Sequence, residues 1–245
     1  MAACLFARDL QLQHFALASM DDRKLVISNC AVGGRTIEQL SKGVSPELFN
    51  RLRVMSAAGK AAAQAANLTY GIPAVLWLQG EYNYVPDFGG SISKSSYKAK
   101  LAQLISDIKS ELVPNQSKPP ALIMYQTGGQ YTSDAADLSI GDAQWELSQE
   151  MAGVFIATPS YPFTDKGGHL TPNGYRWMAL YFRKVLHEVL TLRRILAAVE
   201  PSVHRGQGTH HPRQLPRPCA ASAVPSFLGG DDACRSLDQG VHCHR

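Results

Sequence analysis

Ile72 to Asn83 reads I-P-A-V-L-W-L-Q-G-E-Y-N. Its first seven residues are an apolar run with no polar alternation, too short for a helix and suited to a strand buried on both faces. The run stops at Gln79-Gly80, where a polar loop begins. Working outward, the same unit recurs. Ala121 to Tyr125 (A-L-I-M-Y) is a second such strand, ending at Gln126 ahead of a loop with Gly128, Gly129 and Tyr131. Val154 to Ala157 is another, closing on Thr158-Pro159. Lys24 to Ser28 (K-L-V-I-S) reads the same way and runs into the glycine turn Ala31 to Ile37.

Helical patterns lie between these strands. Ala2 to Leu17 has Leu5, Phe6, Leu10, Leu12 and Phe15 at roughly helical spacing. Ser45-Pro46-Glu47 reads as an N-cap with proline at the first helical position, opening an alanine-rich helix to about Asn67. Ser91 to Leu112 is amphipathic, and Asp142 to Met151 is a short helix. Thr171-Pro172 opens the last helix, with Tyr175, Met178, Phe182, Val185, Leu186 and Val189 on one face, fading near Ala198. Strand and helix alternate, which predicts a parallel sheet covered on both faces by helices. Every polar loop follows a strand, so Gly33-Gly34, Gln79 to Asn83 and Asp165 to His169 are expected at one rim, where open α/β sheets bind ligands.

Composition narrows the class. The 245 residues are 45% hydrophobic and 18% charged with a net charge of +4, as in ordinary soluble domains, and no Lys/Arg run points to nucleic acid. No apolar window is long enough for a membrane span, and the first twenty residues do not read as a signal peptide. Neither nucleic acid nor membrane is an expected partner. Five cysteines form no C-x-x-C pair; Cys4 and Cys30 read as small buried hydrophobes. From about Pro201 the chain holds five of its eight histidines and three of its five cysteines without periodicity or zinc spacing. The expected division is therefore a folded domain over 1–198 and a disordered or non-native tail over 199–245, with no metal site.

T-D-K-G-G-H-L-T-P-N-G-Y, Thr164 to Tyr175, puts a carboxylate and an imidazole four residues apart on a glycine loop ahead of a capped helix. A histidine fixed that way beside a carboxylate is how a general base is built. A plain loop is the alternative. Gly33 and Gly34 equally serve a turn alone, and Gln79 and Glu81 equally cap a helix or pair with Arg35. Trp77, Tyr82 and Tyr84 read as packing residues rather than sugar platforms, and so do Trp145 and Trp177. P-loop, dinucleotide, H-E-x-x-H and G-x-S-x-G motifs are all missing, and no cofactor is implied.

Taken together, the three loops resemble the SGNH hydrolases, in the branch of sialate O-acetylesterases and acetylxylan esterases. Trp77-Leu78-Gln79-Gly80-Glu81 matches the W-x-Q-G-E of that branch's third block. Val32 to Ile37 is similar to its second block, and Asp165 to His169, with the helix behind, to its fifth. The resemblance spans roughly Ala2 to Leu190. It implies a three-layer α/β/α sandwich of flavodoxin-like type and an ester hydrolase that removes acetyl groups from carbohydrate, without cofactor. It implies His169 as base, oriented by Asp165 or Glu81, with Gly34 N–H and Gln79 facing the oxyanion.

Two departures qualify it. Asp165 stands four residues before His169 where the family has three, and Lys166 takes the third position. No block-one serine is found: Ser28-Asn29 lacks the preceding glycine. The first strand and its serine are expected to be missing, leaving the nucleophile unassigned and this chain inactive as written. A non-catalytic carbohydrate-binding module and a phage-type structural scaffold on the same fold are the alternatives.

Overall fold

The computed structural model describes residues 1–21, 23–85 and 88–192. The expected tail and the end of the last helix beyond 192 lie outside the described residues. Three strands, β1 (Ala74–Trp77), β2 (Ala121–Gln126) and β3 (Val154–Pro159), form a parallel sheet in the order β1-β2-β3. The central strand β2 is buried from Ala121 to Tyr125, as its unbroken apolar run requires, whereas all four residues of β1 are half-buried.

The pleat sends alternate residues to two cores. Val75, Trp77, Leu122 and Met124 face the first, and Ala74, Leu76, Ile123 and Tyr125 the second. Helices α4 (Lys94–Glu111) and α5 (Ser139–Glu150) cover the first face. Residues of α2 (Ile37–Leu40) and α3 (Asn50–Ala65) join that core. The second face is covered by α1 (Ala2–His14) and α6 (Pro172–Leu186). This is the expected α/β sandwich. Among the described residues no helix is long and apolar enough to cross a membrane.

Local chemistry explains the main helices. Ser93 caps α4 by accepting from Ser96 N–H, and Tyr97, Leu101, Leu104, Ile105 and Ile108 make its buried stripe. Thr171 caps α6 by accepting from Gly174 N–H, Pro172 occupies its first turn, and Met178, Phe182 and Val185 face the sheet. On the outer side of α4, Lys94 pairs with Asp142 and Glu146, and Lys98 with Glu146 and Glu150, at 2.6–2.7 Å, linking α4 to α5.

Several expectations are corrected. Lys24–Ser28 is not a strand: among the described residues it has no ladder partner, and Leu25 and Val26 are 48% and 65% exposed. Strand formation is settled by cross-strand neighbours, and branched residues without one do not make it. The alanine-rich helix starts at Asn50, not Pro46. Residues 47–52 first close three-residue turns, and the Glu47 carboxylate is held by Gly43 N–H and Arg53. Trp145 and Trp177 do not pack inside; they are exposed on the outer faces of α5 and α6. Cys4 and Cys30 are half-exposed rather than buried, since α1 and the 24–32 stretch lie at the surface.

Phe182, buried between α6 and the sheet, and Trp177, at the surface of the same helix, should separate cleanly in urea unfolding. Phe182→Ala is expected to cost about 3–5 kcal/mol, and Trp177→Ala no more than about 0.5 kcal/mol.

Candidate active site

Because the strands are parallel, the segments after β1, β2 and β3 leave from one rim. A buried polar network ties the first two of these to each other and to the glycine turn. Gln79 lies two residues beyond the end of β1. Its Nε2 donates to the Arg35 carbonyl at 3.2 Å and to Asn83 Oδ1 at 2.7 Å, and its Oε1 accepts from the Tyr97 hydroxyl at 2.8 Å. Asn83, 2% exposed, accepts at Oδ1 from Ile37 N–H (2.9 Å). Its Nδ2 donates to Glu38 Oε2 and the Ser91 carbonyl. Gln144 of α5, fully buried, donates to the Gln79 carbonyl at 2.7 Å and accepts from Thr127 N–H at 2.8 Å. Glycine turn, β1 loop and β2 loop therefore meet through side-chain amides.

Gly80 has φ +157°, and a Cβ there would lie 2.7 Å from the Thr127 side chain, so only glycine lets the loop pass so close. Gly34 also has a left-handed φ of +61° and packs against the Tyr82 ring. Tyr82 itself lies against Phe88, and Tyr84 is buried, so both aromatics pack as expected. Glu81, in the 3-10 turn Glu81–Tyr84, accepts a hydrogen bond from the Tyr125 hydroxyl. Burial, then the Glu81 charge beside it, push the Tyr125 phenol well above its usual range, so it stays protonated as the donor.

The Asp165–His169 stretch is a small hairpin rather than a plain loop. β4 (Asp165–Lys166) pairs antiparallel with β5 (His169–Leu170) across Gly167-Gly168, both at positive φ, as a two-residue turn of the I′ kind requires. Lys166 stands opposite His169 and Asp165 opposite Leu170. Directly opposed residues share a face and adjacent ones alternate. Asp165 and His169 thus project from opposite faces of the ribbon.

The loop after β2 clamps this hairpin. Gln130 N–H donates to Asp165 Oδ2 at 3.0 Å, and Gly168 N–H donates to Gln130 Oε1 at 3.0 Å. The Tyr131 ring leaves no room for a Cβ at Gly168. Asp165 Oδ1 is buried without a partner among the described residues. His169 is exposed, and among the described residues no hydrogen bond joins it to Asp165, Glu81 or Gln79. The structure thus brings Gly34, Gln79 and Glu81 onto one connected rim and sets Asp165 against the Gln130 loop, with His169 outside it.

Sequence reasoning placed Asn83 at this rim without giving it a role, and missed Gln144, Tyr97 and Tyr125. Asn83 stood inside the quoted motif; a polar residue at helical spacing from buried positions, as at Gln144, was the other available signal. Among the described residues no three histidines, cysteines or carboxylates gather to hold a metal ion.

A family model described as carbohydrate esterase, sialic acid-specific acetylesterase, matches residues 3–186. No curated protein and no solved structure matches the chain.

Gln79→Leu strips partners from Arg35, Asn83 and Tyr97 at once and should lower unfolding stability in urea by about 1–3 kcal/mol or more. Alkaline pH tests the buried phenols. Burial raises Tyr84, Tyr97 and Tyr125 above the ordinary value of 10. The unfolded chain then loses these protons first. Stability is full below about pH 10 and falls above it, by about 1.4 kcal/mol per pH unit for each phenol. Tyr97→Phe should flatten that decline by one such increment when urea midpoints are followed between about pH 9 and 11.5.

Proposed function

The chain belongs to the carbohydrate esterase family of sialic acid-specific acetylesterases, and from that premise we propose that its rim is the acetyl-ester site of an SGNH-type serine hydrolase. The observation that carries this reading is the Gln79–Arg35 hydrogen bond, which joins the glycine turn to the W-x-Q-G-E loop across 44 residues of sequence. In this reading Gly34 N–H meets the oxyanion of the tetrahedral intermediate. Each such donor is worth about a hundredfold or more in rate. Gln79 faces the same oxygen from the β1 side. Its amide hydrogens are already given to Arg35 and Asn83, so it acts first by holding the Gly34 turn in position, and direct donation requires release of one of those bonds.

His169 is the assigned base, taking the serine proton as the oxygen attacks the acetyl carbonyl and returning it to the departing sugar hydroxyl. Glu81, on the loop that carries Gln79, is the carboxylate we assign to orient it, because Asp165 and His169 project from opposite faces of their ribbon. For Glu81, which accepts from the Tyr125 hydroxyl, to serve, the hairpin must turn toward the rim.

The nucleophile is not among the assigned residues. Among the described residues no serine follows a strand in a G-x-S setting, and Ser28 lies in the exposed 24–28 stretch. We read these 245 residues as lacking turnover, with the serine supplied by a strand closing on the rim. A second reading, a carbohydrate-binding module without catalysis, is favoured by the exposed His169 and the engaged Gln79 amide.

Acetate release from O-acetylated sialic acid and from p-nitrophenyl acetate separates the two. The chain itself should show no turnover above buffer. A version preceded by a strand ending in G-x-S should hydrolyse both, and His169→Ala in that version should cost about a hundredfold or more in kcat. If the extended version stays inert yet binds the acetylated sugar by calorimetry, the binding-module reading replaces the esterase.

A further inference from the structure

We infer that Tyr125 is a positioning residue of the rim: its buried hydroxyl anchors one oxygen of the Glu81 carboxylate and leaves the other as a fixed acceptor. The hold on Glu81 stands on geometry alone. The use of the free oxygen to orient His169 rests on the ester-hydrolase reading.

Packing does not call for a hydroxyl at this position. Tyr125 is 6% exposed and belongs to the second core, with Ile123, Met178, Ala179 and Phe182. Those neighbours are apolar, and a phenylalanine would fill the same space. A hydroxyl taken into such a core costs free energy unless it is hydrogen-bonded. The Tyr125 hydroxyl donates to Glu81 Oε2 and makes no other hydrogen bond among the described residues. Tyr97, by contrast, gives its hydroxyl to Gln79 inside the amide network.

The backbone on both sides brings the pair together. The ladder between β2 and β3 slips at this residue: Met124 pairs with Ile156 but Tyr125 with Thr158, which leaves Ala157 as an extra residue on β3. Such irregularities re-aim side chains and recur beside active sites. On the other side, Gly80 passes against Thr127, two residues beyond Tyr125, at a distance that excludes a Cβ. That close passage sets Glu81 beside the end of β2.

Glu81 itself is half-buried, and its Oε1 accepts no hydrogen bond among the described residues. A glutamate at the start of a 3-10 turn is free to sample several rotamers. Tied through Oε2 to a phenol that the core holds still, it presents Oε1 in one direction. A carboxylate that orients a base needs both properties, a fixed position and a free oxygen. Tyr125 touches neither substrate nor base and acts only through Glu81.

Nuclear magnetic resonance on the full chain tests the hold. Side-chain coupling constants should give Glu81 a single χ1 rotamer, and Tyr125→Phe should average them while circular dichroism shows the fold intact. Glu81→Gln is the independent variant: the Tyr125 hydroxyl proton should resonate downfield in the unaltered chain and move upfield when the carboxylate is gone. In the version preceded by a G-x-S strand, Tyr125→Phe should lower kcat about tenfold with KM unchanged. It should add nothing to the loss caused by Glu81→Gln. A Glu81 that already averages over rotamers overturns the inference, as does one that Tyr125→Phe leaves fixed. So does a hydroxyl resonance that Glu81→Gln does not move, or an active extended version in which Tyr125→Phe leaves kcat unchanged or adds in full to Glu81→Gln. If Tyr125 holds Glu81 but the extended version is inert, the ester-hydrolase reading alone falls.

Discussion

The carboxamide of Gln79 is the constraint on which the rim depends. It is buried at the end of β1, where its two hydrogens and its oxygen each need a partner. An unpaired amide there costs more than a surface contact gains, because water is not at hand to replace the lost bond. Arg35, Asn83 and Tyr97 supply those partners, and each belongs to a different part of the chain. Satisfying one side chain therefore fixes the glycine turn, the 3-10 turn and α4 relative to β1. Asn83 repeats the logic with Ile37, Glu38 and Ser91, and Gln144 extends it to the β2 loop.

The hairpin that carries His169 is built on different terms. It is clamped by Gln130 and Tyr131 and does not join the amide network. The rim thus has two parts: a braced cradle around Gly34 and Gln79, and a separately held ribbon bearing the imidazole. The family match places the chain among carbohydrate esterases. The geometry adds that the Gly34–Gln79 part is braced by the amide network, while the His169 ribbon is held separately by the Gln130 loop.

Much of this was legible in the sequence. Ile72–Leu78 and Ala121–Tyr125 announced parallel strands by their unbroken apolar runs, although only the second is buried, and Thr171-Pro172 announced the start of α6 by capping chemistry. These signals are local, and so they survive into the fold. Lys24–Ser28 carried the same local signal and failed, because a strand also needs a neighbour whose presence no local pattern reports. The Asp165–His169 spacing was read as a pair through a flexible loop. The informative feature was the Gly167-Gly168 doublet, which sets a two-residue hairpin and hence which side chains share a face. Trp145 and Trp177 misled for the opposite reason: aromatic mass was taken as burial, although each sits on the polar side of its helix.

The lysine–carboxylate ladder between α4 and α5 has an effect beyond its place on the surface. Asp142 and Glu146 flank Gln144 in sequence, on the solvent side of the helix whose opposite side delivers that amide to Gln79 and Thr127. Exposed ion pairs contribute little net free energy and weaken as ionic strength rises. Their directional role is separate: rotating α5 about its axis to withdraw Gln144 would also pull Glu146 away from both lysines. The azimuth of a buried carboxamide is thereby coupled to charges in bulk water on the far side of the same helix.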